Sequence, residues 1–192
     1  MRKIYLIQSC TGTVLSDIIK GYTKNQYTHI SISLDKELNE MYSFGRLNPY
    51  NPFWGGFVHE YVDKGTFARF YNTDSAIFEL EVTDEQYEKV KQKIGYVEKN
   101  KEAYKFNIAG LFMVAANKRR VKKNTFYCAE FVRYVLKRSK INTKVLPKII
   151  KPQDFSKLEG LSLVYEGKLR DYRNFLNGEE LQGIVKQKVT IE

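Results

Sequence analysis

Residues 28–34, Thr-His-Ile-Ser-Ile-Ser-Leu, alternate between polar and apolar side chains without a break. Successive side chains of an extended strand point to opposite faces. Ile30, Ile32 and Leu34 therefore share one face, and His29, Ser31 and Ser33 share the other. The apolar face must be covered by a core, and the other face carries one of only two histidines in the chain. The polar turn Asp35-Lys-Glu-Leu-Asn39 follows, and residues 40–45 return as the second strand of a hairpin. A hairpin with one buried face calls for an antiparallel sheet with helices packed against it, an α+β architecture.

The rest of the chain supplies both kinds of element. Residues 3–8 read as a strand that ends before Gly12. Val14, Leu15, Ile18 and Ile19 recur at helical spacing across 13–22. Residues 46–66 hold the turn pairs Asn48-Pro49, Asn51-Pro52 and Gly55-Gly56 among Tyr50, Phe53, Trp54 and Phe57. They read as an aromatic loop that packs as a lid or wall. Strands are expected at 67–72 and 76–82. A helix is expected over 83–97, with Thr83 as its N-cap and Tyr87, Val90, Ile94 and Val97 as its buried stripe. Further helices are expected at 108–116 and 125–139, and a strand at 162–166. The last residues form a polar region with short helical possibilities. There is no repeat and no domain boundary, so residues 1–192 read as one domain.

Composition excludes several classes. The chain of 192 residues is 43% hydrophobic, with 14 Tyr and 12 Phe, which is too apolar for a disordered chain. Cys10 and Cys128 are too few for a disulfide scaffold and fit a reducing compartment, so a cytoplasmic location is expected. The apolar run near the N-terminus reads as a strand rather than a signal peptide, and no stretch has the length of a membrane span. The net charge of +10 is densest at Lys118, Arg119, Arg120, Lys122 and Lys123. A run of this kind is usually a solvated face. No specific nucleic-acid motif accompanies it.

Thiol chemistry needs a cysteine, a histidine within reach and a group to orient the histidine. Cys128 stands in Phe126-Tyr-Cys-Ala-Glu-Phe-Val, ahead of Phe131, Val132, Val135 and Leu136 at helical spacing. This puts it in or just before the first turn, where free N–H groups and the helix dipole favour an anion. His29 opens a strand on its polar face and could serve as general base. His59 reads as a bracing histidine. Cys10, His29, His59 and Cys128 lie 19, 30 and 69 residues apart in turn, without the close ligand pairs of a zinc site. No metal or cofactor is expected.

Together these segments resemble the circularly permuted branch of the NlpC papain-like superfamily, chiefly the YiiX-like proteins and more distantly the lecithin retinol acyltransferase-like enzymes. The likeness rests on residues 12–31, ending in Tyr27-Thr-His29-Ile-Ser31, on the Cys128 motif, and on their permuted order with about a hundred residues between. It covers roughly residues 1–45 and 124–140. It implies a permuted papain-like fold, an antiparallel sheet or partial barrel against the helix bearing Cys128. It also implies a cysteine hydrolase, amidase, peptidase or esterase, acting through a thioester. Cys128 would be the nucleophile, its own N–H holding the oxyanion, and His29 the base and acid. The family's orienting residue usually lies on the strand after the histidine strand. The hairpin puts Ser43 there, with Glu40 and Tyr42 as alternatives of opposite parity. Tyr27, Tyr127 and Gln8 are candidates to border the substrate, a small-molecule, peptide or lipid acyl compound. The competing readings are a weak or inactive ligand-binding domain of the same fold and a basic binder of nucleic acid or anionic membrane.

Overall fold

The computed structural model describes residues 1–12, 21, 26–48, 50–108, 110, 113 and 123–178. The helices expected over 13–22 and 108–116, the basic cluster apart from Lys123, and residues 179–192 lie outside the described residues or are only partly among them.

Six antiparallel strands form the main sheet. In chain order they are β1 (Arg2–Cys10), β2 (His29–Ser33), β3 (Met41–Asn48), β4 (Asn51–Glu60), β5 (Asp74–Val82) and, late in the chain, a strand over Leu161–Lys168. Short helix α1 (Gly65–Arg69) precedes β5, and α2 (Asp84–Lys99) follows it. Two-residue strands β6 (Lys105–Phe106) and β7 (Thr125–Phe126) pair in parallel. Next come α3 (Cys128–Arg138), the late sheet strand, here β8, and α4 (Tyr172–Leu176). The spatial order is β4-β3-β2-β1-β5-β8, so β4 and β8 are the edges. The molecule is α+β, as the first hairpin requires.

The period-two pattern sorts the two faces. Ile30 and Ile32 share their face with Leu6 and Tyr42, the register partners of Ile32 on β1 and β3. That face packs on the α2 stripe Tyr87, Val90, Ile94 and Val97, and on Phe131, Val132, Val135 and Leu136 of α3, all buried. Each large side chain buried this way contributes roughly 1.5–3 kcal/mol over an exposed one. The second face carries Tyr5, Ile7, Met41 and Ile77 against Val62, Phe67 of α1, and Leu169 and Tyr172 beside α4. His29, Ser31 and Ser33 belong to this second face, level with Ser9, Ile7 and Tyr5.

Two segments depart from expectation. The aromatic stretch 46–66 is mostly strand: Asn48 pairs with Asn51 across a tight turn, and β4 runs beside β3 to Met41–Glu60. Two features disguise it. Pro52 lacks an N–H but lies on an edge strand, where one outward N–H is not needed. Gly55 has no side chain because the Phe106 ring fills its place: a Cβ there would come within 2.6 Å of that ring. Residues 67–72 are not a strand, since helix α1 and a turn occupy them. The helix expected at 125–139 starts later. Thr125 and Phe126 are used by β7, and Cys128 is the first helical residue. Among the described residues no helix is long and apolar enough to cross a membrane.

Helix α2 begins in a reciprocal cap. The Thr83 hydroxyl accepts from the Gln86 N–H at 3.1 Å, and the Gln86 side-chain oxygen accepts from the Thr83 N–H at 3.0 Å. Thr83→Ala removes the first of these bonds. It is expected to cost about 1 kcal/mol in urea unfolding with the m-value unchanged. A loss under about 0.3 kcal/mol would show that packing of the helix stripe alone sets its start.

Candidate active site

His29 and Cys128 are each the first residue of their element. Helix α3 packs on the Ile30 face, and its leading residue comes to His29 where β2 begins. The Cys128 thiol reaches the imidazole closely enough to favour its charged form, although no aligned sulfur–nitrogen hydrogen bond joins them. Pairs of this kind are often loosely aligned before substrate arrives. Cys128 is 4% exposed, and the His29 side chain is 20% exposed.

The group that orients the imidazole is Glu60. Its Oε1 lies 3.0 Å from His29 Nε2, and its Oε2 accepts a hydrogen bond from the Ser31 hydroxyl. Ser31 Oγ is also 3.4 Å from Nε2. With Nε2 committed to the carboxylate, Nδ1 is the ring nitrogen left for a second partner. Ser43 does not take the orienting position. In the register set by Ile32–Tyr42 it comes level with Ser31 rather than His29. Its buried Oγ faces the Glu60 carboxylate and helps to keep it ionised, without the geometry of a full hydrogen bond.

Gly45 makes the meeting possible. It comes level with His29, and a Cβ there would lie 3.4 Å from His29 Cε1, 3.4 Å from Glu60 Oε1 and 3.3 Å from Ser43 Oγ. Glu60 pairs with Met41, four residues from Gly45 along β3. In a straight strand those four residues run about 13 Å. The β3–β4 hairpin must therefore bend toward the His29 face to bring the carboxylate over Gly45.

The electrostatics follow from this packing. Burial works against a charged His29, but the Glu60 charge, the nearby Cys128 thiol and the hydrogen bond with Glu60 outweigh it and push its value up to about 10. Burial likewise opposes the Glu60 carboxylate. The His29 charge, with hydrogen bonds from His29 and Ser31, prevails and holds it below its ordinary 4.5. At neutral pH the pair is an imidazolium against a carboxylate that is only 8% exposed.

The other sequence candidates have hydrogen-bond partners of their own. Gln8 is buried and its side-chain N–H donates to the Pro152 carbonyl at 3.0 Å, so that amide is already used. The Tyr127 hydroxyl donates to the Ile150 carbonyl at 3.0 Å, anchoring the start of α3 in the core. Tyr27 is buried beside Cys10 and Ala76, and its hydroxyl donates to Glu166 at 3.1 Å. His59 lies between the Tyr42 and Tyr61 rings. Its Nε2 donates to the Asn39 carbonyl at 2.7 Å, and its Nδ1 accepts from the Tyr61 hydroxyl. Glu60, Ser31 and Gly45 were not singled out by the sequence. Glu60 follows His59 in Val58-His-Glu60, and only recognition of β4 would have put it on the parity of Val58 and Gly56.

Comparison of the chain with family models, with curated proteins and with solved structures finds no match.

The ion pair fixes a pH window. His29 has its folded value raised above the ordinary 6.5, so its stabilisation is complete below 6.5 and is lost as pH rises toward 10. Glu60 has its folded value lowered, so its stabilisation is complete above 4.5 and is lost as pH falls below that. The stability that wild type holds over Glu60→Gln should peak between pH 4.5 and 6.5 and shrink on both sides, read by urea unfolding. The His29 ring, followed by NMR, should titrate at lower pH in Glu60→Gln. An unmoved midpoint would show that the carboxylate does not set it.

Proposed function

We propose that this chain is a thiol hydrolase of amide or ester bonds, built on a permuted papain-like scaffold of NlpC type. The observation that carries the reading is the contact chain Cys128–His29–Glu60, assembled from a helix start, a strand start and the end of a third strand. Core packing has no need for a buried carboxylate on an imidazole that also meets a thiol. A nucleophile, its acid–base partner and an orienter in that order are the parts of covalent acyl transfer.

The reactive state is a Cys128 thiolate facing the His29 imidazolium. The sulfur attacks the acyl carbonyl carbon, and the carbonyl π electrons move onto oxygen. The Cys128 N–H, one of the leading helix N–H groups with no intrahelical acceptor, faces the developing oxyanion. The imidazolium then gives its proton to the leaving nitrogen or oxygen, that bond breaks, and a thioester remains. A water molecule gives its proton to the neutral imidazole and attacks the thioester. The acid departs, and the thiolate and imidazolium are restored. An acceptor other than water would make the same site a transferase. Glu60 keeps Nε2 occupied throughout, so the shuttled proton resides on Nδ1.

The reading is tested by alkylation with iodoacetamide, followed by peptide mass spectrometry, with Cys10 as internal control. Cys128 should label faster than Cys10 below pH 7, and His29→Ala should slow Cys128 by roughly 10²-fold or more while leaving Cys10 unchanged. Equal labelling of the two thiols, indifferent to His29→Ala, would overturn it. With acyl substrates, Cys128→Ser should abolish thioester formation. Gly45→Ala should lower turnover modestly with the fold intact, because its methyl group crowds Ser43, Glu60 and His29 at 3.3–3.4 Å.

A further inference from the structure

Leu47, Tyr50 and Trp54 are 47%, 76% and 59% exposed. Single exposed apolar side chains are ordinary, but these three belong to the tip of one hairpin, β3–β4. Asn48 pairs with Asn51, which leaves Tyr50 in the turn. The next pair is Arg46 with Gly55, so the register shifts and Leu47 stands against residues 52–54. Leu47 lies over Gly56, its Cδ1 3.2 Å from where a Cβ would stand, and Trp54 shares the parity of Gly56. Leucine and tryptophan therefore fall on one face of the tip. β4 is an edge of the sheet, and among the described residues no further strand flanks it.

The charges around the tip have one sign. The Arg69 guanidinium stands 3.9 Å over the Tyr50 ring. Lys64 lines the same shallow cavity as Leu47. Lys105 precedes Phe106, whose ring occupies the place of a Gly55 side chain. All three cations are exposed. Stacking on a ring leaves a guanidinium its charge, so the positive field does not require a vacant donor. No Asp or Glu occurs within residues 41–59, 64–73 or 103–129. The carboxylates between the first two of these stretches are taken up, Glu60 by His29 and Ser31, and Asp63 by Arg173 at 3.7 Å.

Apolar and aromatic side chains ringed by cations match the boundary of an anionic bilayer. Indole and phenol rings settle at headgroup level, aliphatic groups enter the acyl boundary, and Lys and Arg meet the lipid charges. A single nucleic-acid strand would engage the cations and stack on the rings, but would leave Leu47 in water.

We propose that the β3–β4 tip is a docking surface for anionic lipid bilayers. Trp54, Leu47 and Tyr50 enter the headgroup region, and Arg69, Lys64 and Lys105 face the lipid charges. The proposal stands apart from the hydrolase reading and does not depend on it.

Trp54 is the one tryptophan of the chain, so its emission reports on the tip. Phosphatidylcholine vesicles, pure or with about 30% phosphatidylserine, are titrated into the intact protein. The emission should shift to the blue with the anionic vesicles. Their apparent affinity should exceed that of pure phosphatidylcholine by roughly tenfold or more and fall as salt is added. Arg69→Gln should weaken binding roughly fivefold. Leu47→Ser should also weaken it and leaves the reporter in place, whereas Cys128→Ala should change nothing. Trp54→Ser, followed by cosedimentation, should lose most of the bound fraction with its urea midpoint unchanged. Neutral and anionic vesicles bound alike, or cosedimentation without a blue shift, would overturn the proposal. A blue shift with a single-stranded oligonucleotide and none with vesicles would overturn it in favour of nucleic acid. A shift that grows with protein concentration alone, without lipid, would overturn it in favour of a second copy of the chain.

Discussion

A buried carboxylate needs a reason to stay charged, and in this chain the reason is His29. Glu60 loses most of its water at the end of β4 and regains the lost stabilisation from one imidazolium and one serine hydroxyl. The arrangement is all or nothing. Removing either partner leaves the other as an uncompensated buried charge, which is costlier than the pair is beneficial. Much of the local architecture serves this contact. The β3–β4 hairpin bends toward it, Gly45 vacates the space it needs, and Ser31 lies two residues along the same strand face as His29.

The same pair decides which proton form of the imidazole exists. A charged ring at neutral pH cannot begin a reaction as a base, so its part in the proposed cycle starts as an acid. That division makes the orientation of Nε2 toward Glu60 as consequential as the nearness of sulfur. It also gives the site its two contacts, the carboxylate on Nε2 and the thiol near the same ring.

Where local pattern and tertiary environment agreed, the fold could be read from the chain. Strand β2 announced itself because one face is buried and the other polar. Helix α2 did so because Thr83 caps it and its stripe is unbroken. The start of α3 at Cys128 was visible to within a turn. β4 was hidden because its glycines and Pro52 are turn residues by habit. Here they answer to Phe106 packing and to an edge position, neither of which is local information. Missing β4 meant missing Glu60, and Ser43 was the nearest polar substitute on a strand that could be seen. Tyr27, Tyr127 and Gln8 were legible only as sequence neighbours of the site. Nearness in sequence to His29 or Cys128, or to the end of β1, does not reveal that a hydroxyl or amide is already bonded to a backbone or a distant carboxylate.

The packing of Phe106 against Gly55 joins two regions that are far apart along the chain. Phe106 belongs to β6, which pairs with β7 just ahead of Cys128, whereas Gly55 belongs to the hairpin that carries Glu60. During synthesis at about 5–20 residues per second, the hairpin emerges several seconds before the cysteine helix. The histidine strand and its carboxylate can come together in the nascent chain, but the Cys128 thiol is not yet there to meet them. A polypeptide interrupted before α3 would carry the charged pair without Cys128, and the three-residue contact would be completed only as the last large part of the core closes over the sheet.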